Sequence, residues 1–163
     1  MKLWIGVLAV ALAVIGHGFL LSGRSASGQW MMSTVPVHLH QSMDAVPAAV
    51  PTLRGAIADF LGSAGIGEPL LTSAKLAVSE AVTNAVMHAY VGAPQPGAVS
   101  IDASFEGDSL LVVEVTDEGS GMMPRLDSPG LGVGLPLIAD TTDTLDIGNS
   151  PHGGTVLRMS FRL

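Results

Sequence analysis

The stretch Ser79-Glu80-Ala81-Val82-Thr83-Asn84-Ala85-Val86-Met87-His88-Ala89-Tyr90 carries two patterns at once. Leu70, Leu71, Ala74, Ala77, Val78, Ala81, Val82, Ala85 and Val86 recur at helical spacing, which predicts a helix from about Glu68 to Ala89 with a wide apolar face. Its many alanines predict close packing against a sheet. Glu80, Asn84 and His88 fall at i, i+4 and i+8, so three polar side chains share one slowly drifting stripe. A carboxylate and an amide oxygen one turn apart suit Mg²⁺, which takes oxygen ligands and keeps several waters. A carboxylate beside a metal-bound phosphate can also act as a base toward a hydroxyl nucleophile. Taken alone, the stripe reads first as an ordinary solvated helix face.

Working outward, Val35, Val37 and Leu39 alternate and predict a first strand over Thr34 to His40. Asp44 reads as an N-cap and Pro47 as a first-turn residue of a helix that runs to Leu61, with Leu53, Ile57, Phe60 and Leu61 inward and Gly62 to Gly67 as its stop. On the other side, Gly92 to Gly97 reads as a loop. Val99 to Glu106 and Leu110 to Thr116 alternate about a Gly107-Asp108 turn and predict a hairpin. Gly119 to Gly134 is too rich in glycine and proline for a regular element. Leu135 to Ala139 then reads as a short helix, Leu145 to Ile147 as a short strand, Asn149 to Gly154 as a turn and Thr155 to Leu163 as a final strand. Hairpins with interspersed helices predict an α+β two-layer sandwich, a mainly antiparallel mixed sheet with helices on one face. A parallel dinucleotide-binding fold would need a full helix between successive strands.

Composition narrows the function. The 163 residues allow one domain and a tail. A net charge of -7 with only 7 Lys and Arg argues against direct nucleic-acid binding, which needs basic residues to neutralise phosphate. The absence of cysteine excludes disulfides and thiolate metal sites. Leu3 to Leu21 is almost wholly apolar, and three readings of it stand: a membrane anchor, a signal peptide, or a start codon set too early, with Met31 or Met32 as the true start. Ser22 to Gly28 reads as a linker. The expected organisation is therefore a leader and linker over residues 1–31 and one domain over residues 32–163.

Two further motifs complete the candidate chemistry. Asp117-Glu118-Gly119-Ser120-Gly121 ends the hairpin. A buried aspartate there can accept a hydrogen bond from an exocyclic amine, and Gly119 and Gly121 would let a flat base lie close to backbone. A tight Asp-Gly turn is the plain alternative. Gly130-Leu131-Gly132-Val133-Gly134 precedes the short helix, and its amides can approach phosphate oxygens at a helix start. A flexible loop explains it as well, and no Gly-Lys-Ser/Thr of a Walker A loop occurs.

The ordered set resembles the GHKL (Bergerat-fold) ATPase superfamily. Glu80 to His88 corresponds to its N box, Asp117 to Gly121 to its first glycine box and Gly130 to Gly134 to its second. Thr155, after Gly153-Gly154, corresponds to the threonine that follows the lid. The likeness runs from about Thr34 to Leu163. Within the superfamily the chain is most similar to bacterial anti-sigma-factor serine/threonine kinases of the RsbW and SpoIIAB type. Three segments carry that likeness: Ser79 to Tyr90, Val115 to Gly121, and Gly132-Val133-Gly134-Leu135-Pro136-Leu137-Ile138.

The resemblance implies ATP and Mg²⁺ as cofactors. Asn84 would hold the metal, Glu80 would be the base or water-positioning group, and Asp117 would bind the adenine amino group. Gly119, Gly121, Gly130, Leu131, Gly132, Val133 and Gly134 would line the base and phosphates, with Thr155 supporting Asp117 or the base and His88 on the phosphate side. The implied activity is phosphorylation of a STAS-type anti-sigma-factor antagonist by a kinase that also sequesters a sigma factor. The rival is a nucleotide-sensitive module that binds a partner without phosphoryl transfer. The resemblance leaves room for a homodimer and implies a cytoplasmic location, membrane-anchored only if Leu3 to Leu21 is a real anchor. The segment Met122 to Gly130 departs from the pattern in being short, with two prolines and Arg125 as its one basic residue. No phospho-acceptor histidine helix precedes the domain, which argues against a sensor histidine kinase.

Overall fold

Alternating burial builds one sheet. In strand β4 (Ala98–Glu106) the buried residues are Val99, Ile101 and Ala103; in β5 (Leu110–Asp117) Leu111, Val113 and Val115 face the same side. The computed structural model describes residues 18–24, 30–35, 38–120, 134–151 and 153–163. The chain divides into two units, Met1–Val37 and His38–Leu163. In the first, β1 (Gly18–Arg24) pairs antiparallel with β2 (Trp30–Val35). The apolar run therefore ends in a strand, and Ser22 to Arg24 is part of that strand rather than of a linker. The rest of the apolar run lies outside the described residues. Among the described residues, no helix is long and apolar enough to cross a membrane.

The second unit carries a five-stranded sheet in the order β3-β4-β5-β7-β6, with β3 at His38–Asp44, β6 at Thr144–Asn149 and β7 at Thr155–Arg162. Every described pairing in it is antiparallel, so the mixed sheet of the sequence reading is not formed. The connections explain this. Two helices, α1 (Ala49–Ser63) and α2 (Leu70–Asn84), separate β3 from β4; one carries the chain back along the sheet and the other returns it, so β4 enters opposite to β3. Strands β5 and β6 are joined through the single helix α3 (Gly134–Thr141) and run the same way, but β7 inserts between them and pairs antiparallel with both.

The helices cover one face of the sheet: α1 meets β3 and β4, α2 meets β5 and β7, and α3 meets β6. Ala74, Ala77 and Ala81 of α2 are buried, as close packing against the sheet requires. The Phe60 and Phe105 rings stack at 5.2 Å between α1 and β4. On the opposite face, Asp102, Glu114, Arg158 and Asp146 stand in register across four strands. Arg158 pairs there with Glu114 and Glu106, exposed contacts that add little to stability.

Several element boundaries differ from the sequence reading, three of them at the ends of helices and strands that frame the sheet. The alternation over Thr34 to His40 is divided between the end of β2 and the start of β3. Asp44 is the last residue of β3, opposite Ala98, rather than a helix cap. The β3–β4 ladder extends beyond it through the Ala45 amide to the Gly97 carbonyl at 2.8 Å, and α1 starts at Ala49 behind an Ala48 cap that makes no side-chain bond. The long helix stays α-helical only to Asn84 and continues as a π-helical turn over Ala85–Ala89.

Candidate functional site

The site forms at the end of the sheet where β5 finishes. Asp117 is the last residue of β5 and is 6% exposed. Its Oδ1 accepts the Gly119 amide at 2.9 Å and the Thr155 amide, from the start of β7, at 3.2 Å. Two backbone donors on one oxygen fix the plane of the carboxylate. Among the described residues Oδ2 takes no hydrogen bond, which leaves a strong acceptor at a fixed angle.

Gly154 makes this arrangement possible. Its φ is +84°, and a Cβ there would lie 2.1 Å from the Asp117 carbonyl oxygen. Gly154→Ala combines a left-handed backbone with a backbone collision, and should lower the unfolding free energy by about 2 kcal/mol. Urea denaturation checks it: the midpoint should fall with the slope unchanged, and an unmoved midpoint would contradict the packing.

The helix side is built from α2 and the turn after it. Glu80 and Asn84 are half-buried on α2, and the first residue of α3, Gly134, sits against both. A Cβ on Gly134 would lie 3.2 Å from Glu80 Oε2 and 3.3 Å from Asn84 Oδ1. The bare glycine thus brings the start of α3, with its partial positive charge, up to a carboxylate and an amide. The carboxylate oxygen and the amide oxygen are both donors of the kind that Mg²⁺ takes.

Gly119 also meets a steric demand that the sequence does not show. A Cβ on it would lie 2.2 Å from the Ala89 carbonyl oxygen, so its demand for glycine comes from the π-helical turn. The same carbonyl accepts the Ser120 amide at 2.9 Å. The exit from β5 is thereby docked on the end of the helix that carries Glu80 and Asn84. His88 lies half-buried within that turn, and its ring makes no hydrogen bond among the described residues. A π turn closes with i→i+5 bonds, so the α spacing that aligned His88 with Glu80 and Asn84 does not carry through it. Gly121, Arg125, Gly130, Leu131, Gly132 and Val133 lie outside the described residues.

Sequence reasoning missed Tyr90. Its hydroxyl donates to the Ala98 carbonyl at 2.5 Å and accepts the Glu118 amide at 2.9 Å. Burial holds this hydroxyl above the ordinary tyrosine value, against the opposite pull of the Glu118 amide. The one local hint was a lone tyrosine directly after the polar stripe.

Residues 43–161 match the histidine kinase-like ATPase domain. The chain belongs to the histidine kinase-like ATPase family. An anti-sigma F factor of Caldanaerobacter subterraneus is 37% identical over 97 residues, which cover 53% of this chain and 66% of that protein. The ATPase domain described here thus spans just under two thirds of that relative's length. An anti-sigma F factor of Bacillus licheniformis is 32% identical over 68% of this chain and 82% of its own. Among solved structures, the RsbU and RsbW domains of a Mycobacterium tuberculosis protein superpose with a TM-score of 0.63 at 25% identity, covering 81% of this chain and 34% of that one. The α+β fold of this histidine kinase-like ATPase domain accords with that neighbour.

Proposed function

We propose that this domain is an ATP-dependent protein-serine/threonine kinase that acts as an anti-sigma factor. The observation that carries the reading is the meeting of Glu80 Oε2 and Asn84 Oδ1 at the start of α3, beside Gly134. The names of its relatives, anti-sigma F factors, support a sigma factor as the partner held by this domain; a STAS-type antagonist as its phosphorylation substrate belongs to the proposal alone. A cytoplasmic location and a homodimer are parts of the same proposal.

In this reading Asp117 Oδ2 accepts the amino group of adenine, while Oδ1 stays tied to Gly119 and Thr155. The start of α3, at Gly134, faces the phosphates. Asn84 would hold Mg²⁺, which neutralises triphosphate charge when bound. Glu80 takes the proton from the substrate hydroxyl as its oxygen bonds to the γ-phosphorus and the bridging bond to ADP breaks. Little covalent chemistry falls to the protein itself, and positioning dominates.

The test is incubation of the domain with γ-labelled ATP and a candidate antagonist. Label on an antagonist serine or threonine is expected. Nucleotide binding without transfer would instead favour a switch that sequesters its partner and performs no chemistry.

A further inference from the structure

The last backbone pair of the β4–β5 ladder is Val99 with Asp117. The next pair outward would be Ala98 with Glu118. A direct rung does not join them; the Tyr90 hydroxyl stands between, donating to the Ala98 carbonyl and accepting the Glu118 amide. One oxygen atom inserted into a ladder holds the two strands further apart than a backbone bond would. The residue it displaces adjoins Asp117. The next two, Gly119 and Ser120, are the ones seated on Ala89. The ring itself is accommodated by Gly97, where a Cβ would lie 2.3 Å from the Tyr90 Cε1.

We propose that Tyr90 is a positioning residue for base recognition: as the inserted rung of the β4–β5 ladder it sets the angle of Asp117, and so the preference for an amino-bearing base over a keto-bearing one. The inference rests on the reading of Asp117 as the acceptor for adenine. An acceptor carboxylate discriminates only when its free oxygen is aimed, because a tilted carboxylate can admit water between itself and a guanine oxygen. Removing the hydroxyl lets β5 close on β4 or swing away from it, and either movement turns Asp117.

The experiment measures the affinities of the full chain for ADP and GDP, and takes their ratio, in the native protein, Tyr90→Phe, Gly97→Ala and the double variant. The ratio is insensitive to partial unfolding, which weakens both ligands alike. Tyr90→Phe should lower the preference for ADP by about tenfold, the order expected from losing one or two hydrogen bonds. Gly97→Ala, which pushes the ring off its bonds, should reproduce the loss, and the double variant should be no worse than Tyr90→Phe alone. An unchanged ratio in Tyr90→Phe overturns the inference even if both affinities fall. A native protein that binds neither nucleotide, or both alike, defeats the reading of Asp117 itself and this inference with it.

Discussion

Asp117→Asn should weaken ATP binding by at least about 100-fold, to below detection by calorimetry at ordinary protein concentrations. The geometry makes the substitution unusually informative. Oδ1 is committed to the Gly119 and Thr155 amides. An asparagine keeps those two bonds only by leaving its NH₂ group where Oδ2 stood. That group would then point its protons at the amino protons of adenine. The loss combines a charge-assisted bond, about 1.5–3 kcal/mol, with an unpaired buried donor, about 1–3 kcal/mol. Since the two backbone bonds survive, the thermal midpoint should change little. ATP affinity within tenfold of the native value would remove Asp117 from the base-binding role.

Glu80→Ala should separate chemistry from binding. Transfer to the antagonist should fall by about a hundredfold to ten-thousandfold, the usual effect of removing a general base. Nucleotide affinity should stay within a few-fold, because Asn84 and the start of α3 remain in place. Single-turnover transfer from labelled ATP gives the rate, and calorimetry gives the affinity. An unchanged rate sinks the base assignment. A parallel collapse of affinity would move Glu80 from the chemistry to the binding of nucleotide.

Much of this site could be read from spacing because its signals are local. Glu80 and Asn84 announce themselves as i, i+4 on an apolar helix, and the hairpin announces Asp117 as a strand end. What spacing does not hold is the meeting of distant segments. Tyr90 and Glu118 are 28 residues apart, and nothing near either one encodes the bond between them. Gly119 was legible as a required glycine, but its seat on the helix end was not, since the Ala89 carbonyl reaches it from another element. Asp44 shows the opposite failure: a correct local capping signal lost to a ladder that runs on to Gly97. The all-antiparallel sheet was hidden for a similar reason. Strands β5 and β6 have the connection of a parallel pair, and only the return of β7 between them prevents it.

The position of β5 has a consequence for how the domain behaves when it loosens. It is the middle strand of five, bonded along its length to β4 on one side and β7 on the other. Among the described residues of this unit, the border strands β3 and β6 each pair on one side only, and local opening begins at such borders. Asp117, the proposed anchor of the base, therefore hangs from the strand that opens last. A partner could peel back either border of this domain while the base stayed gripped.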